Sequence, residues 1–177
     1  MTERTPKSTP SYLRPYVVST LRHGPTIRGM LWGSRSRQIA RFDAIARIAA
    51  LQGRVLLDLG CGCAELYSFL LNRGVVPKQY VGVEAVPILA DAARAEADDI
   101  LQLDFVTDDS CFECHPHVSI FCGSLNTLDI DTFWQCVRRG QAMSREGVVF
   151  NYLSSPDLAA ASHLIWQIGR ASCRERA

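Results

Sequence analysis

Asp58, Gly60, Gly62 and Glu84 carry the most chemistry in this chain, by residue type and by spacing. The first three lie in Leu57-Asp58-Leu59-Gly60-Cys61-Gly62-Cys63-Ala64-Glu65. Two glycines one residue apart let the backbone turn tightly and approach a ligand closely. A helix starting just after them leaves free N–H groups in its first turn. A dinucleotide site asks for a third small residue after two spacers, where Glu65 stands, and for an apolar strand end, where Asp58 stands. A carboxylate at Asp58 repels a pyrophosphate and suits a cationic amino group. The loop therefore favours an amino-acid-like ligand over a dinucleotide.

Three further segments contain candidate groups. Glu84 follows Gly62 by 22 residues. An acid there accepts two hydrogen bonds from ribose hydroxyls, but dinucleotide folds share this feature, so alone it discriminates nothing. Asp104-Phe105 sets an acid beside an apolar ring; the plainer reading is a turn acid among Asp108 and Asp109. Cys111-Phe112-Glu113-Cys114-His115, with His117 nearby, matches a haem c attachment pattern and offers four zinc-ligand types. Haem attachment needs export, of which the chain shows no sign, and the four ligands are tightly bunched. A polar connecting loop is the favoured reading, without a metal.

The elements that must position these groups alternate. Ile39, Phe42, Ile45 and Ile48, with Ala46 and Ala49, make one apolar helical face, with Ser34 or Ser36 to cap it and Gly53 to end it. Val55–Leu59 is an apolar run broken only by Asp58, as in a strand buried on both faces. Leu66, Phe69 and Leu70 predict a helix closed by Gly74, and Tyr80–Val83 a second strand. Pro87 suits the first turn of a helix carrying Leu89, Ala92 and Ala93. Ile100–Val106 and Val118–Cys122 read as strands three and four, Phe133, Trp134 and Val137 as a helix, and Gly147–Leu153 as strand five. Pro156 then opens a last helix toward Ile168. Strands separated by helices imply parallel pairing in an open α/β sheet covered on both faces. Ligands bind such sheets outside the carboxyl ends of the strands, at the switch point.

The segment from Asp58 resembles motif I of the class I S-adenosylmethionine-dependent methyltransferases, which read acidic-x-Gly-x-Gly-x-Gly after an apolar strand. It departs from that pattern at the third glycine, where Cys63, also small, is taken to stand. Trp32-Gly33-Ser34, Ser124-Leu125-Asn126 and Phe150-Asn151-Tyr152-Leu153 are similar to a small group within that superfamily whose substrate is undetermined. The resemblance covers residues 32–165. It implies a doubly wound, mainly parallel Rossmann-like methyltransferase fold, S-adenosylmethionine as cofactor, and methyl transfer to a small-molecule acceptor. It assigns Asp58 and the backbone of Gly60 and Gly62 to the methionine moiety, Glu84 to the ribose, and Asp104 with Phe105 to the adenine. Cys61 and Cys122 complete the expected cofactor-lining set, and Asn126 and Tyr152 are the polar candidates near the acceptor. Phe121-Cys122-Gly123-Ser124-Leu125-Asn126 lacks the Asn/Asp-Pro-Pro-aromatic signature of methyltransferases acting on exocyclic base amines or glutamine amides. The rival readings are an NAD(P)-dependent oxidoreductase and a non-catalytic cofactor-binding module.

The family's sheet carries two more strands after the fifth, and this chain is expected to lack them. Residues 168–177 resemble translated sequencing-adapter read-through joined to a truncated gene. The expected division is a basic, proline-containing extension over 1–33, a methyltransferase-like domain over 34–167, and a non-native tail.

Composition excludes several classes. The net charge of +1 conceals +7 over residues 1–50 and −7 over residues 51–150. The Arg-rich start resembles a transit peptide, but Pro6, Pro10, Pro15 and Pro25 interrupt any long amphipathic helix, which favours a solvated extension. Arg35, Arg37, Arg41 and Arg47 lack interleaved aromatics and read as a solvated helix face, which argues against nucleic acid. No apolar run approaches the roughly 18–20 residues that cross a bilayer. Seven cysteines, an odd number with no signal peptide, suit reduced thiols in a cytoplasmic protein.

Overall fold

The computed structural model describes residues 9–153. Five strands form one sheet: β1 (Val55–Leu59), β2 (Gln79–Val83), β3 (Asp99–Leu101), β4 (Val118–Phe121) and β5 (Gly147–Phe150). Their order is β3-β2-β1-β4-β5 and every pairing is parallel. Five helices accompany them: α1 (Arg14–His23), α2 (Arg35–Ile48), α3 (Glu65–Asn72), α4 (Pro87–Ala93) and α5 (Ile130–Met143). The doubly wound α/β architecture expected from the alternation is the one observed.

Local chemistry accounts for the helix ends. The Ser34 hydroxyl accepts from the Arg37 amide at 3.2 Å, and Asp129 accepts from the Thr132 amide at 2.9 Å. Each satisfies one of the amides that a helix start leaves unpaired. Pro87 opens α4, where its fixed φ suits the first turn.

The period-two alternation of β1 divides the core. Leu56 points into a cluster with Phe42 and Ile45 of α2 and Leu66 and Leu70 of α3. Leu57 and Leu59 point into a second cluster with Phe121 and with Phe133 and Val137 of α5. The sheet is thus covered on both faces, as a strand with five buried residues in succession requires.

Four expectations need correction. Ile48 is 70% exposed, because α2 buries Gln38, Phe42 and Ile45 and the last turn runs past the core. The third strand ends at Leu101 and not at Val106, because its one partner among the described residues, β2, ends at Val83. The fifth strand stops at Phe150, opposite the end of β4. Finally, residues 9–33 are not a solvated extension. A short helix, α1, runs from Arg14 with Pro15 in its first turn, and Tyr16, Val17, Ile27 and Met30 pack with Cys63, Val86 and Leu89. The helix expected from Pro156 and the tail over 168–177 lie outside the described residues.

Candidate functional site

Beyond the carboxyl ends of β1 and β4, at the switch point of the sheet, lies a cavity of about 320 Å3. Asp58, Gly60, Cys61, Gly62, Glu84, Asp104, Phe105, Cys122 and Asn126 all line it. Residues spread over almost seventy positions are brought together because each sits at or just beyond a strand end. Tyr152 does not line this cavity; its ring packs against Phe133 and Phe150 in the α5-side cluster.

Asp58 is 1% exposed. Its Oδ2 accepts from the Tyr80 hydroxyl at 2.6 Å, and its Oδ1 is buried with no hydrogen-bond partner. Burial pushes its carboxyl up to about 6, with the Tyr80 bond opposing the shift. Glu84 joins two loops: its carboxylate accepts from the Gly62 amide at 3.0 Å and the Val86 amide at 2.8 Å. Burial still outweighs these amides and pushes it up to about 7.

Gly60 has φ +82°, and a Cβ there would lie 2.3 Å from the Ser124 Cβ, so the turn and the β4 loop touch through the missing side chain. The amides of the turn are engaged within the protein. Gly60 and Cys61 donate to the Val83 carbonyl at 2.8 and 3.0 Å, Gly62 to Glu84, and Ala64 to the Cys61 carbonyl at 3.0 Å. The turn therefore does not hold a ligand through the Gly60 and Gly62 amides. With those amides spent inside the protein, the turn is not a phosphate cradle. Counted along the chain, the third-glycine position of the motif is Ala64 and not Cys63. Ala64 has φ +57°, in the left-handed region that favours glycine.

The cysteines are packing groups. Cys61, Cys63 and Cys122 are buried, and burial raises their thiols, Cys63 to about 11 and Cys122 to about 12. Cys111 is buried in the α5-side cluster, with Cys114 packed against it, whereas the His117 Nδ1 accepts from the Val55 amide at 3.2 Å. Among the described residues no three His, Cys, Asp or Glu side chains cluster as a metal site would need.

Asp104 lies three residues past β3, in a turn where its Oδ1 accepts from the Val106 amide at 3.0 Å. Its Oδ2 accepts from the Tyr12 hydroxyl at 2.6 Å. Arg139 of α5 donates to the carbonyls of Phe105 and Val106 and pairs with Asp109 at 2.7 Å, clamping this loop. Arg139→Ala is expected to lower the unfolding free energy by about 1–3 kcal/mol, read as a fall in the urea midpoint. The carbonyl bonds supply most of that, because Asp109 is largely exposed.

Several lining residues were missed: Tyr12, Tyr16, Met30, Arg37 and Arg41. Tyr12 lies in the turn before α1 and Tyr16 within it, so no shared helix face marks that pair, whereas Arg37 and Arg41, four apart within α2, lie on one helical stripe. Proline punctuation obscured the first pair, and the charge of α2 obscured the second.

Asp58 and Glu84 also make stability depend on pH. Both titrate above the ordinary carboxylate range of roughly 4, so between pH 4 and 7 the folded state binds more protons than the unfolded chain. Their contribution is complete below about pH 4 and is lost as pH rises through about 6 and about 7. Urea midpoints measured from pH 5 to 8 are expected to fall through this window, and Asp58→Asn with Glu84→Gln to flatten the slope.

No family model and no curated protein matches the sequence. Solved structures do match. The CcbJ methyltransferase of Streptomyces caelestis superposes with a TM-score of 0.58 at 22% identity, over 78% of this chain and 57% of that one. Magnesium protoporphyrin IX methyltransferase of Synechocystis PCC 6803, solved with bound SAH, gives a TM-score of 0.58 at 10% identity, over 75% and 66%. This chain has the class I methyltransferase fold. The sugar N-methyltransferase KedS8 of Streptoalloteichus shares it too, with a TM-score of 0.52 at 20% identity, over 70% of this chain and 50% of that one. The chain thus spans between half and two thirds of the length of these methyltransferases. Among the described residues no helix is long and apolar enough to cross a membrane.

Proposed function

We propose that the chain binds S-adenosylmethionine in the switch-point cavity and transfers its methyl group to a small-molecule acceptor. The observation that carries the cofactor is Asp58, a buried carboxylate whose Oδ1 lacks a partner at a cavity that the glycine turn also lines. A group bearing an ammonium supplies the missing partner; a pyrophosphate adds a second anion to a site already lined by Glu84 and Asp104. When bound, S-adenosylmethionine supplies a methyl carbon activated by its sulfonium.

The residues then have distinct tasks. Asp58 holds the ammonium, and the Tyr80 hydroxyl orients its carboxylate. Glu84 has acceptor capacity left after its two amide bonds and takes the ribose hydroxyls. Asp104 accepts from the adenine amino group, with Phe105, 9% exposed, packed against the ring. Tyr16, Met30 and Trp32 cover the cavity from the N-terminal side and exclude water, which strengthens each of these contacts. The cavity volume of about 320 Å3 supports a small acceptor over a nucleic acid.

Thermal unfolding tests the cofactor class. S-adenosylhomocysteine at 100 times its Kd is expected to stabilise the protein by about 2.7 kcal/mol, a rise of several degrees in Tm, and NAD or NADP to leave Tm unchanged. Stabilisation by a nicotinamide cofactor and not by S-adenosylhomocysteine would overturn the reading.

A further inference from the structure

The cavity is bipolar. Its acids lie at the ends of β1 and β2 and beyond β3, whereas Arg37 and Arg41 of α2 line it beside the β4 loop. Arg41 lies with its guanidinium 4.9 Å from the centre of the Trp32 ring. Gly123 brings this pair down onto the loop: a Cβ there would lie 3.3 Å from the Trp32 ring and 3.6 Å from an Arg41 Nη.

The carboxylates of the neighbouring helices are already committed. Asp43 is held by Arg47 and Arg73, and Glu65 by Arg35 and Gln38. Among the described residues no carboxylate lies within ion-pair distance of Arg37 or Arg41, and neither guanidinium donates a hydrogen bond. Burial, and to a lesser degree the second cation at Arg37, draws Arg41 below its ordinary value. Since guanidinium stays protonated in proteins, this is a partly desolvated positive charge facing a cavity without its anion. Its flat fork fits a carboxylate in two-point fashion.

We propose that Arg41, reinforced by Arg37, forms an anion subsite at the β4 end of the cavity that takes a carboxylate. The carboxylate has two possible sources, the amino-acid end of the cofactor or the methyl acceptor. Only the first rests on the cofactor assignment above.

Calorimetric titration of the full chain and of Arg41→Gln tests the subsite with three probes. These are S-adenosylhomocysteine, its analogue lacking the carboxylate, and benzoate, the last with and without saturating S-adenosylhomocysteine. If the cofactor is the source, the wild type binds S-adenosylhomocysteine about tenfold or more tightly than the decarboxylated analogue, and Arg41→Gln erases the difference. If the acceptor is the source, both adenosyl probes bind the two proteins alike, and Arg41→Gln weakens benzoate at least tenfold. Should Arg41→Gln fail to fold, Arg41→Lys is read instead, since it keeps the stem over Trp32 and the charge but loses the fork. Arg41 variants that bind all three probes as the wild type does overturn the subsite, as does a wild type that binds none of them. Arg41-dependent benzoate binding without any adenosyl binding overturns the cofactor assignment and leaves the subsite standing.

Discussion

Gly60→Ala is expected to destabilise the protein by about 2–5 kcal/mol and to abolish ligand binding at the cavity. Two costs combine. An L-residue at φ +82° occupies a backbone conformation that Cβ disfavours, by roughly 1–2 kcal/mol. The new Cβ would also lie 2.3 Å from the Ser124 Cβ, and overpacking of this kind costs typically 1–3 kcal/mol. Ser124 cannot swing aside freely, because its hydroxyl donates to the Leu59 carbonyl at 2.5 Å. Relief must come from parting the β1 turn from the β4 loop, the two walls of the site. Urea denaturation measures the stability loss, and titration with S-adenosylhomocysteine the binding loss. A variant with the wild-type midpoint would show that the two loops do not meet as described. Ala64→Gly makes a useful contrast, since it relieves φ +57° and is expected to stabilise.

Glu84→Ala has the second large effect, for a different reason. The Glu84 carboxylate accepts from the amides of Gly62 and Val86, and the residue is 7% exposed. Removing it leaves the buried Val86 amide and the half-buried Gly62 amide without their acceptor, at roughly 1–3 kcal/mol each. The burial that holds the carboxyl near 7 offsets part of that loss, so a net destabilisation of about 2–4 kcal/mol is expected. On the proposed reading the same substitution removes the ribose acceptor, and affinity for S-adenosylhomocysteine falls at least tenfold beyond any loss of folded protein. Glu84→Gln keeps one oxygen acceptor and is expected to fall between the two in stability. Binding that survives Glu84→Ala in the folded fraction would remove Glu84 from the ribose role.

Much of this site was legible because its residues announce themselves locally. Asp58 interrupts an otherwise apolar strand, the two glycines follow it, and Glu84 ends the next strand; none of these depends on distant partners. Boundaries were less legible because they depend on neighbours. The third strand ends where β2 ends, and nothing in Gln102 or Leu103 says so. The direction of the turn's amides was likewise hidden: only the paired strands show that Val83 and Glu84 consume them, which removes the phosphate cradle such a turn would otherwise offer. The N-terminal segment was misjudged because four prolines outweighed the scattered apolar residues Tyr16, Val17, Ile27 and Met30 that pack it down. Arg37 and Arg41 looked like solvent-facing charges until Trp32 and Gly123 were seen against one of them.

The account turns on one buried carboxylate, and titration of the full chain with S-adenosylhomocysteine at pH 7, beside Asp58→Asn, tests it most directly. The account predicts one site per chain in the wild type and at least a tenfold loss of affinity in Asp58→Asn. No heat of binding in the wild type, or equal affinity in the two proteins, would contradict it.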